Sequence, residues 1–322
     1  MIGEVYAQSV CLMNEAINMY YAEKKTLSEI AGELNVSKST ASRLLQRASD
    51  EKVVEFRIAP DFAECIELSR LIKCKYGLES VLALPVSSYD EAKDCLEIKK
   101  SVALEGARYV QRVISHDDII GLSWGGTMYH LIQYLNPCRK VNACVVTLHG
   151  SIANCDAKFD VKTLVRRAAM AFGGTKACLE KKGLFDTREE VEQLKSSEEY
   201  KKIRSLFDRI NISVSGVGAM HPDLLTPLAG TDYLTDSERG EIIGRGARCD
   251  IMLRFIDKNG RECRTSLKDR TFSIDLKTYK KIPRKVVVAS GREKALAIHA
   301  LIRGRLLDVL IVDQFLAREL IS

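Results

Sequence analysis

Between Thr26 and Arg47 the chain reads T-L-S-E-I-A-G-E-L-N-V-S-K-S-T-A-S-R-L-L-Q-R, a stretch that leaves room for little except two short helices crossing at a tight turn. Thr26 followed three residues later by Glu29 is a capping box, which predicts a helix starting at Leu27. Ile30, Ala31 and Leu34 share one face of that helix. Asn35 tolerates the left-handed backbone that a sharp turn needs. Ser37 is a good N-cap for a second helix running from Lys38 to about Ser49, and Ala31 and Ala41 are small where the two helices must touch. A helix over about 10–22, with Leu12, Ala16, Met19 and Tyr20 as its buried stripe, completes a three-helix core. Residues 53–58 alternate weakly and read as a strand, a small wing.

The outward face of the second helix offers Lys38, Ser39, Thr40, Ser42, Arg43 and Arg47. Lys and Arg neutralise phosphates, and hydroxyls donate to phosphates and base edges. A recognition helix reads bases mainly with its N-terminal residues, so Ser39, Thr40 and Arg43 are expected at bases and Lys38, Ser42 and Arg47 at phosphates. The bland alternative is a helical hairpin with a solvated basic face. Residues 1–60 carry seven basic and eight acidic side chains, net −1, so the formal +6 of the chain resides in 61–322. A single copy of such a module gains little from non-specific electrostatics, and several linked copies would supply the affinity.

The 322 residues fit one small and one large domain, with the boundary at residues 58 and 59 beside Ala59-Pro60-Asp61. No apolar run approaches the ~18 residues a membrane span needs. No secretory signal is visible at the start, so a cytoplasmic protein is expected. The ten cysteines contain no C-x-x-C pair, which argues against a zinc ribbon or a thioredoxin-type centre, and free thiols in this number suit a reducing compartment. No cofactor is implied, and His116, His130, His221 and His299 show no metal-site spacing.

After residue 60, apolar strands and helices alternate. Strands are expected at 80–84, 119–122, 143–148, 212–217, 251–256, 271–274, 286–289 and 309–312. Helices are expected at 62–75, 89–114, 128–135, 161–172, 189–207, 293–303 and 314–320. This is the pattern of an α/β, doubly wound, mostly parallel sheet, whose ligands sit beyond the carboxyl ends of the strands. Three strand-to-helix turns converge there. Gly121-Leu122-Ser123-Trp124-Gly125-Gly126-Thr127 places backbone N–H groups and hydroxyls at a helix start, where an anion is favoured, but it is neither a Walker loop nor a dinucleotide fingerprint. Asp250, before the strand at Ile251, is placed to accept from sugar hydroxyls, or else is a turn carboxylate. Lys294 sits at a helix start where a cation is disfavoured unless an anion joins it, or else is a solvated lysine. His149 ends another strand and is a further candidate for the same cleft, with Ser123, Gly125, Gly126, Thr127, Asp250 and Lys294.

The order of these motifs resembles the SorC family of bacterial sugar-responsive transcriptional regulators over nearly the full chain. The resemblance rests on Tyr20-Tyr21, 27–31, 37–45, 121–127, Gly216-Val217-Gly218, 246–250, 280–283, 289–294, 297–304 and 310–313. It implies a winged helix-turn-helix in 1–58 that binds operator DNA. It also implies an effector and oligomerisation domain in 59–322, similar to phosphosugar isomerases and tetrameric, that takes a phosphorylated sugar. By position, Gly125, Gly126 and Thr127 match the phosphate-cradling turn, and Asp250 and Lys294 match effector contacts. Departures fall at Cys249, where a glycine is usual, at Ser290, and at Val312-Asp313-Gln314, where Thr-Asp-Glu is usual; all bear on the identity of the effector. A phosphosugar isomerase with an accessory N-terminal domain is the competing reading, with Asp250 as base and no acid partner in view.

Overall fold

A computed structural model describes residues 8–322 except Ser87, Ala92, 221–223, Leu225, Thr231 and Asp232. The chain divides into two compact units, Met1–Ala59 and Pro60–Ser322.

The first unit holds α1 (Val10–Ile17), a π-helical turn (Asn18–Ala22), α2 (Leu27–Glu33) and α3 (Lys38–Asp50). The capping box forms as written: Thr26 accepts from the Glu29 N–H while Glu29 reaches back to the Thr26 N–H. The Ser37 hydroxyl accepts from the Thr40 N–H, and Asn35 takes φ +51° between the helices. Met13, Ala16, Ile30, Ala31, Ala41, Leu44 and Ala48 form the core. The expected stripe on α1 is corrected at two places. Met13 takes a buried position beside Leu12, and Tyr20 is exposed, lying in the wide π turn that rotates the face there by part of a residue. The expected wing strand at 53–58 is absent from the described residues: a lone strand has no ladder partner here, and Val53, Phe56 and Ile58 stay exposed.

The second unit opens with α4 (Pro60–Tyr76), β1 (Ser80–Leu84), α5 (Cys95–Val113), β2 (Ile119–Leu122), α6 (Gly126–Gln133) and β3 (Cys144–Thr147). It continues through α7 (Val161–Phe172), β4 (Thr175–Ala177), α8 (Arg188–Lys195), α9 (Glu198–Phe207), β5 (Ile212–Ser215) and β6 (Gly218–Ala219). Next come α10 (Asp236–Gly244), β7 (Ala247–Ile251), β8 (Arg254–Asp257), α11 (Ser266–Arg270) and α12 (Leu276–Tyr279). The unit ends with β9 (Arg284–Ala289), α13 (Ala295–Arg303), β10 (Val309–Asp313) and α14 (Gln314–Ile321). Seven parallel strands run in the order β1-β10-β9-β5-β2-β3-β4, with Ser80 opposite Val309, Val309 opposite Val286, and Ile119 opposite Cys144. Their apolar runs pack helices on both faces, α5, α6 and α7 on one and α4, α9, α13 and α14 on the other.

Strand order reverses between β2 and β5: the chain winds outward through β3 and β4, then returns to build β5, β9 and β10 on the other side of β2. Loops that leave neighbouring strands in opposite directions open a crevice at their carboxyl ends. A feature the alternation did not predict sits against it, a small antiparallel sheet β6-β7-β8. The strand expected at 251–256 is instead a hairpin whose tight turn is Met252 and Leu253, at φ +51° and +66° without a glycine. The strand expected at 271–274 is reduced to isolated bridges, Leu184 to Thr271 and His149 to Ser273. The helix expected over 189–207 breaks where Ser197 caps α9.

The first unit's core rests on few large side chains, and Leu44 is fully buried among them. Leu44→Ala is expected to cost about 2–5 kcal/mol, enough to unfold a unit this small while the second unit stays folded. A thermal melt followed by circular dichroism should then split into two transitions; one unchanged transition would contradict the assignment of Leu44 to an independent core.

Candidate functional site

Two surfaces carry the residues singled out in the sequence. On α3, Lys38, Ser39, Ser42 and Arg43 are exposed on the outer face. Arg47 is half-buried, ion-paired to Glu51 at 2.6 Å, and donates to the Gln8 carbonyl. It therefore braces the helix against the chain before α1. Thr40 is a correction. It is 2% exposed, lies one and two turns before Leu44 and Ala48 on the inner face, and its hydroxyl is within 2.8 Å of the Ser37 hydroxyl. The spacing 40, 44, 48 carried that signal, and a hydroxyl spent on the cap has no way to reach a base.

The second surface is a cavity of about 760 Å³ at the carboxyl edge of the parallel sheet. Ser123, Gly125, Gly126, Thr127, Asp250 and Lys294 all line it, together with Trp124, Phe159, Met252, Tyr233 and Phe315. Gly125 caps α6 at φ +112°, a backbone that only glycine adopts easily, and nothing lies within 4 Å of where its side chain or that of Gly126 would sit. The first N–H groups of α6 thus open onto the cavity without an intrahelical partner, a ready anion site.

His149 does not line the cavity, which corrects its assignment to the ligand. It is fully buried. Its Nε2 accepts from the Trp124 N–H at 3.2 Å, so Nδ1 carries the proton and donates to the Gly150 carbonyl at 2.8 Å. It shapes the turn after β2 from behind, and burial pushes its pKa down to about 4.

Asp250 comes from β7 of the antiparallel sheet, opposite Gly218 and Phe255, and not from a parallel strand end. It is 5% exposed, and its Oδ1 has no hydrogen-bond partner among the described residues. A side chain at Gly218 would fall 2.1 Å from that oxygen, so glycine there is what gives the carboxyl its space. Burial pushes the Asp250 pKa up to about 6, and the Thr226 hydroxyl and the Lys294 ammonium offset part of the rise. Lys294 ends a 3-10 turn (Arg292–Lys294) and precedes α13. Burial lowers its pKa, as does the nearby Lys99.

Asp313 was read in the sequence only as part of a motif, yet it organises the cavity's rim. Its Oδ2 accepts from the Gly291 N–H at 2.7 Å and its Oδ1 caps α14 through the Leu316 N–H at 2.9 Å. The next residue, Gln314, is fully buried and donates to Glu64 of α4 at 2.7 Å; Arg318 holds the same carboxylate at 2.6 Å. Hydrogen bonds therefore join the Lys294 turn to the helix that begins at Pro60.

Among the described residues no cluster of His, Cys, Asp and Glu could hold a metal, and no helix is long and apolar enough to cross a membrane. His221 lies outside the described residues.

His149 and Asp250 pull stability in opposite directions with pH. The folded chain keeps His149 neutral down to about pH 4 against an ordinary 6.5, so the unfolded chain binds more protons and stability rises with pH across that window. The folded chain keeps Asp250 protonated up to about pH 6 against an ordinary 3.8, so stability falls as pH rises across that window. In urea unfolding, Asp250→Asn should leave a stability that climbs by roughly 3 kcal/mol from pH 4 to 6.5, and His149→Gln one that declines. Parallel profiles for the two variants would contradict both assignments.

Comparison with known proteins bears on these surfaces. The Sugar-bind family model, described as "Putative sugar-binding domain", matches residues 60–322, and a "Sigma-70, region 4" model matches residues 13–51. The chain is 29% identical over 308 residues to the deoxyribonucleoside regulator of Bacillus subtilis, covering 96% of each chain. It is 26% identical over 320 residues to the sorbitol operon regulator of Klebsiella pneumoniae, covering 98% of this chain and 99% of that one. The crystal structure of full-length SorC from Klebsiella pneumoniae matches with a TM-score of 0.73 at 24% identity, over 97% of this chain and 98% of that one, a likeness of fold.

Proposed function

We propose, from the premise that this chain belongs to the Sugar-bind family of SorC-type transcriptional regulators, that it controls carbohydrate-metabolism genes through operator DNA bound by α3 and a phosphorylated sugar bound in the cavity. The observation that carries the ligand assignment is the presence in one cavity of an anion site and a hydroxyl acceptor. The α6 N-terminus and Lys294 line it, and so does Asp250, whose Oδ1 has no hydrogen-bond partner among the described residues. A phosphoryl group satisfies the first, and a sugar hydroxyl donating to Oδ1 satisfies the second. On α3, Lys38, Ser39, Ser42 and Arg43 face the duplex, with Arg43 and Ser39 at base edges.

The isomerase reading has less support than the regulatory one. The relatives named above are regulators, and so is this chain.

The ligand alters DNA binding only if it favours one arrangement of the protein over another. A sugar phosphate on Lys294 pulls at the 289–294 turn, which Gly291 ties to Asp313, Gln314 and then Glu64 on α4, the helix that continues from the DNA-binding unit. We take 1–58 as the reading module and 59–322 as the effector and oligomerisation module. A tetramer in the cytoplasm would bring several modules of near-neutral charge to one operator.

Three variants separate these roles in operator gel shifts titrated with sugar phosphates. Arg43→Ala is expected to weaken operator binding by about 10-fold or more while leaving ligand affinity alone. Lys294→Ala is expected to abolish the ligand response with operator affinity intact. Glu64→Ala should bind both but lose most of the response. A Lys294→Ala protein that responds like wild type would remove the cavity assignment, and equal operator affinity for Arg43→Ala would remove the recognition helix.

A further inference from the structure

The cavity holds a second lysine for which the reading above has no role. Lys99 projects from the first turns of α5, lines the cavity and is half-buried. Its neighbours on the same stretch are neutralised locally: Lys100 by Glu97 at 2.7 Å and Lys93 by Asp90 at 3.4 Å. Among the described residues neither Lys99 nor Lys294 makes a side-chain hydrogen bond or an ion pair. The carboxylates of the cavity are unevenly shared. Glu91 is paired with Arg292 and Asp156 with Lys158, while Glu293, Asp313 and Asp250 act on Lys294 and none pairs with Lys99 among the described residues. Two half-buried ammonium groups thus line one cavity, and Lys99 is the like charge acting on Lys294. Lys99 also acts on His130 of α6, which places it beside the helix whose N-terminus opens onto the cavity.

Lys294 has carboxylates acting on it and Lys99 has no ion-pair partner among the described residues, so two like charges sharing one partly desolvated cavity are relieved most by an anion that carries two charges. A carboxylate brings one; a phosphate monoester brings nearly two at neutral pH. We infer that Lys99 is a phosphate-binding and specificity-determining residue of the cavity, which with Lys294 and the α6 N-terminus selects a dianionic phosphoryl group over a free sugar or a sugar carboxylate. The inference rests on the sugar-phosphate reading and deepens it. In this arrangement the phosphoryl group lies between Lys99 of α5 and Lys294 of the 289–294 turn.

The test uses the full chain and titration calorimetry. A thermal-shift panel of pentose and hexose monophosphates first selects the compound that stabilises wild type most. That compound, its dephosphorylated sugar and its sugar-acid counterpart are then titrated into wild type, Lys99→Met and Lys99→Arg. Lys99→Met is expected to lose about 10- to 100-fold in affinity for the phosphate and little for the other two, and Lys99→Arg to stay within about 5-fold of wild type. A merely structural lysine would not give the companion result. Without ligand, Lys99→Met should melt at or above the wild-type temperature, because one of two mutually repelling charges is gone. Wild type and Lys99→Met binding the phosphate equally well overturns the role of Lys99 while leaving the cavity assignment standing. No stabilisation of wild type by any phosphate in the panel overturns the sugar-phosphate reading itself and this inference with it.

Discussion

Asp250 is buried with one carboxylate oxygen unpartnered among the described residues, and several features of the second unit hold it there. A buried carboxylate short of hydrogen bonds is destabilising; burial raises the Asp250 pKa, and the Thr226 hydroxyl and the Lys294 ammonium offset only part of the rise. The fold meets it with a small antiparallel sheet that holds the residue rigidly, a glycine at 218 that leaves space, and a tight hairpin turn in which Met252 and Leu253 take left-handed backbone. Strain of this kind persists only where the surroundings enforce it, and here it borders the cavity. In the proposed function, a sugar hydroxyl donating to Oδ1 would offset that cost.

The parallel sheet supplies the other half of the site. Because strand order reverses between β2 and β5, the turns after β2, β5, β9 and β10 all reach one edge, where Gly125 and Gly291 can adopt positive φ and expose backbone N–H groups. One turn offers an α-helix N-terminus, another a lysine, and Asp313 at the end of β10 ties the lysine turn to α14. Through Gln314 and Arg318 that helix is bonded to Glu64 of α4.

Much of this was legible in the sequence because local chemistry decided it. The caps at Thr26 and Ser37, the left-handed Asn35, the parallel strands and the Gly125-Gly126-Thr127 turn are each fixed by residues within a few positions of one another. What escaped depended on distant partners. The wing at 53–58 had the alternation of a strand but no second strand among the described residues to pair with. His149 looked like a ligand group because it ends a strand, while its fate was set by the Trp124 N–H arriving from another loop. Met252 and Leu253 carry no turn signature, and short β4 (Thr175–Ala177) pairs by virtue of its neighbour β3. Thr40 is the exception: its place four residues before Leu44 was local information, outweighed by its residue type. Lys99 was passed over because nothing in its own helix marks it; only the opposing Lys294 turn gives it meaning.

The central claim is a thermodynamic link between cavity and recognition helix, and linkage is reciprocal. Its most direct test is the affinity of the full chain for the stabilising sugar phosphate, measured by calorimetry with and without saturating operator duplex. The account predicts that DNA changes that affinity by the same factor by which the sugar phosphate changes operator affinity, a factor of about 5 or more. Identical ligand affinity in the presence and absence of bound operator would contradict it.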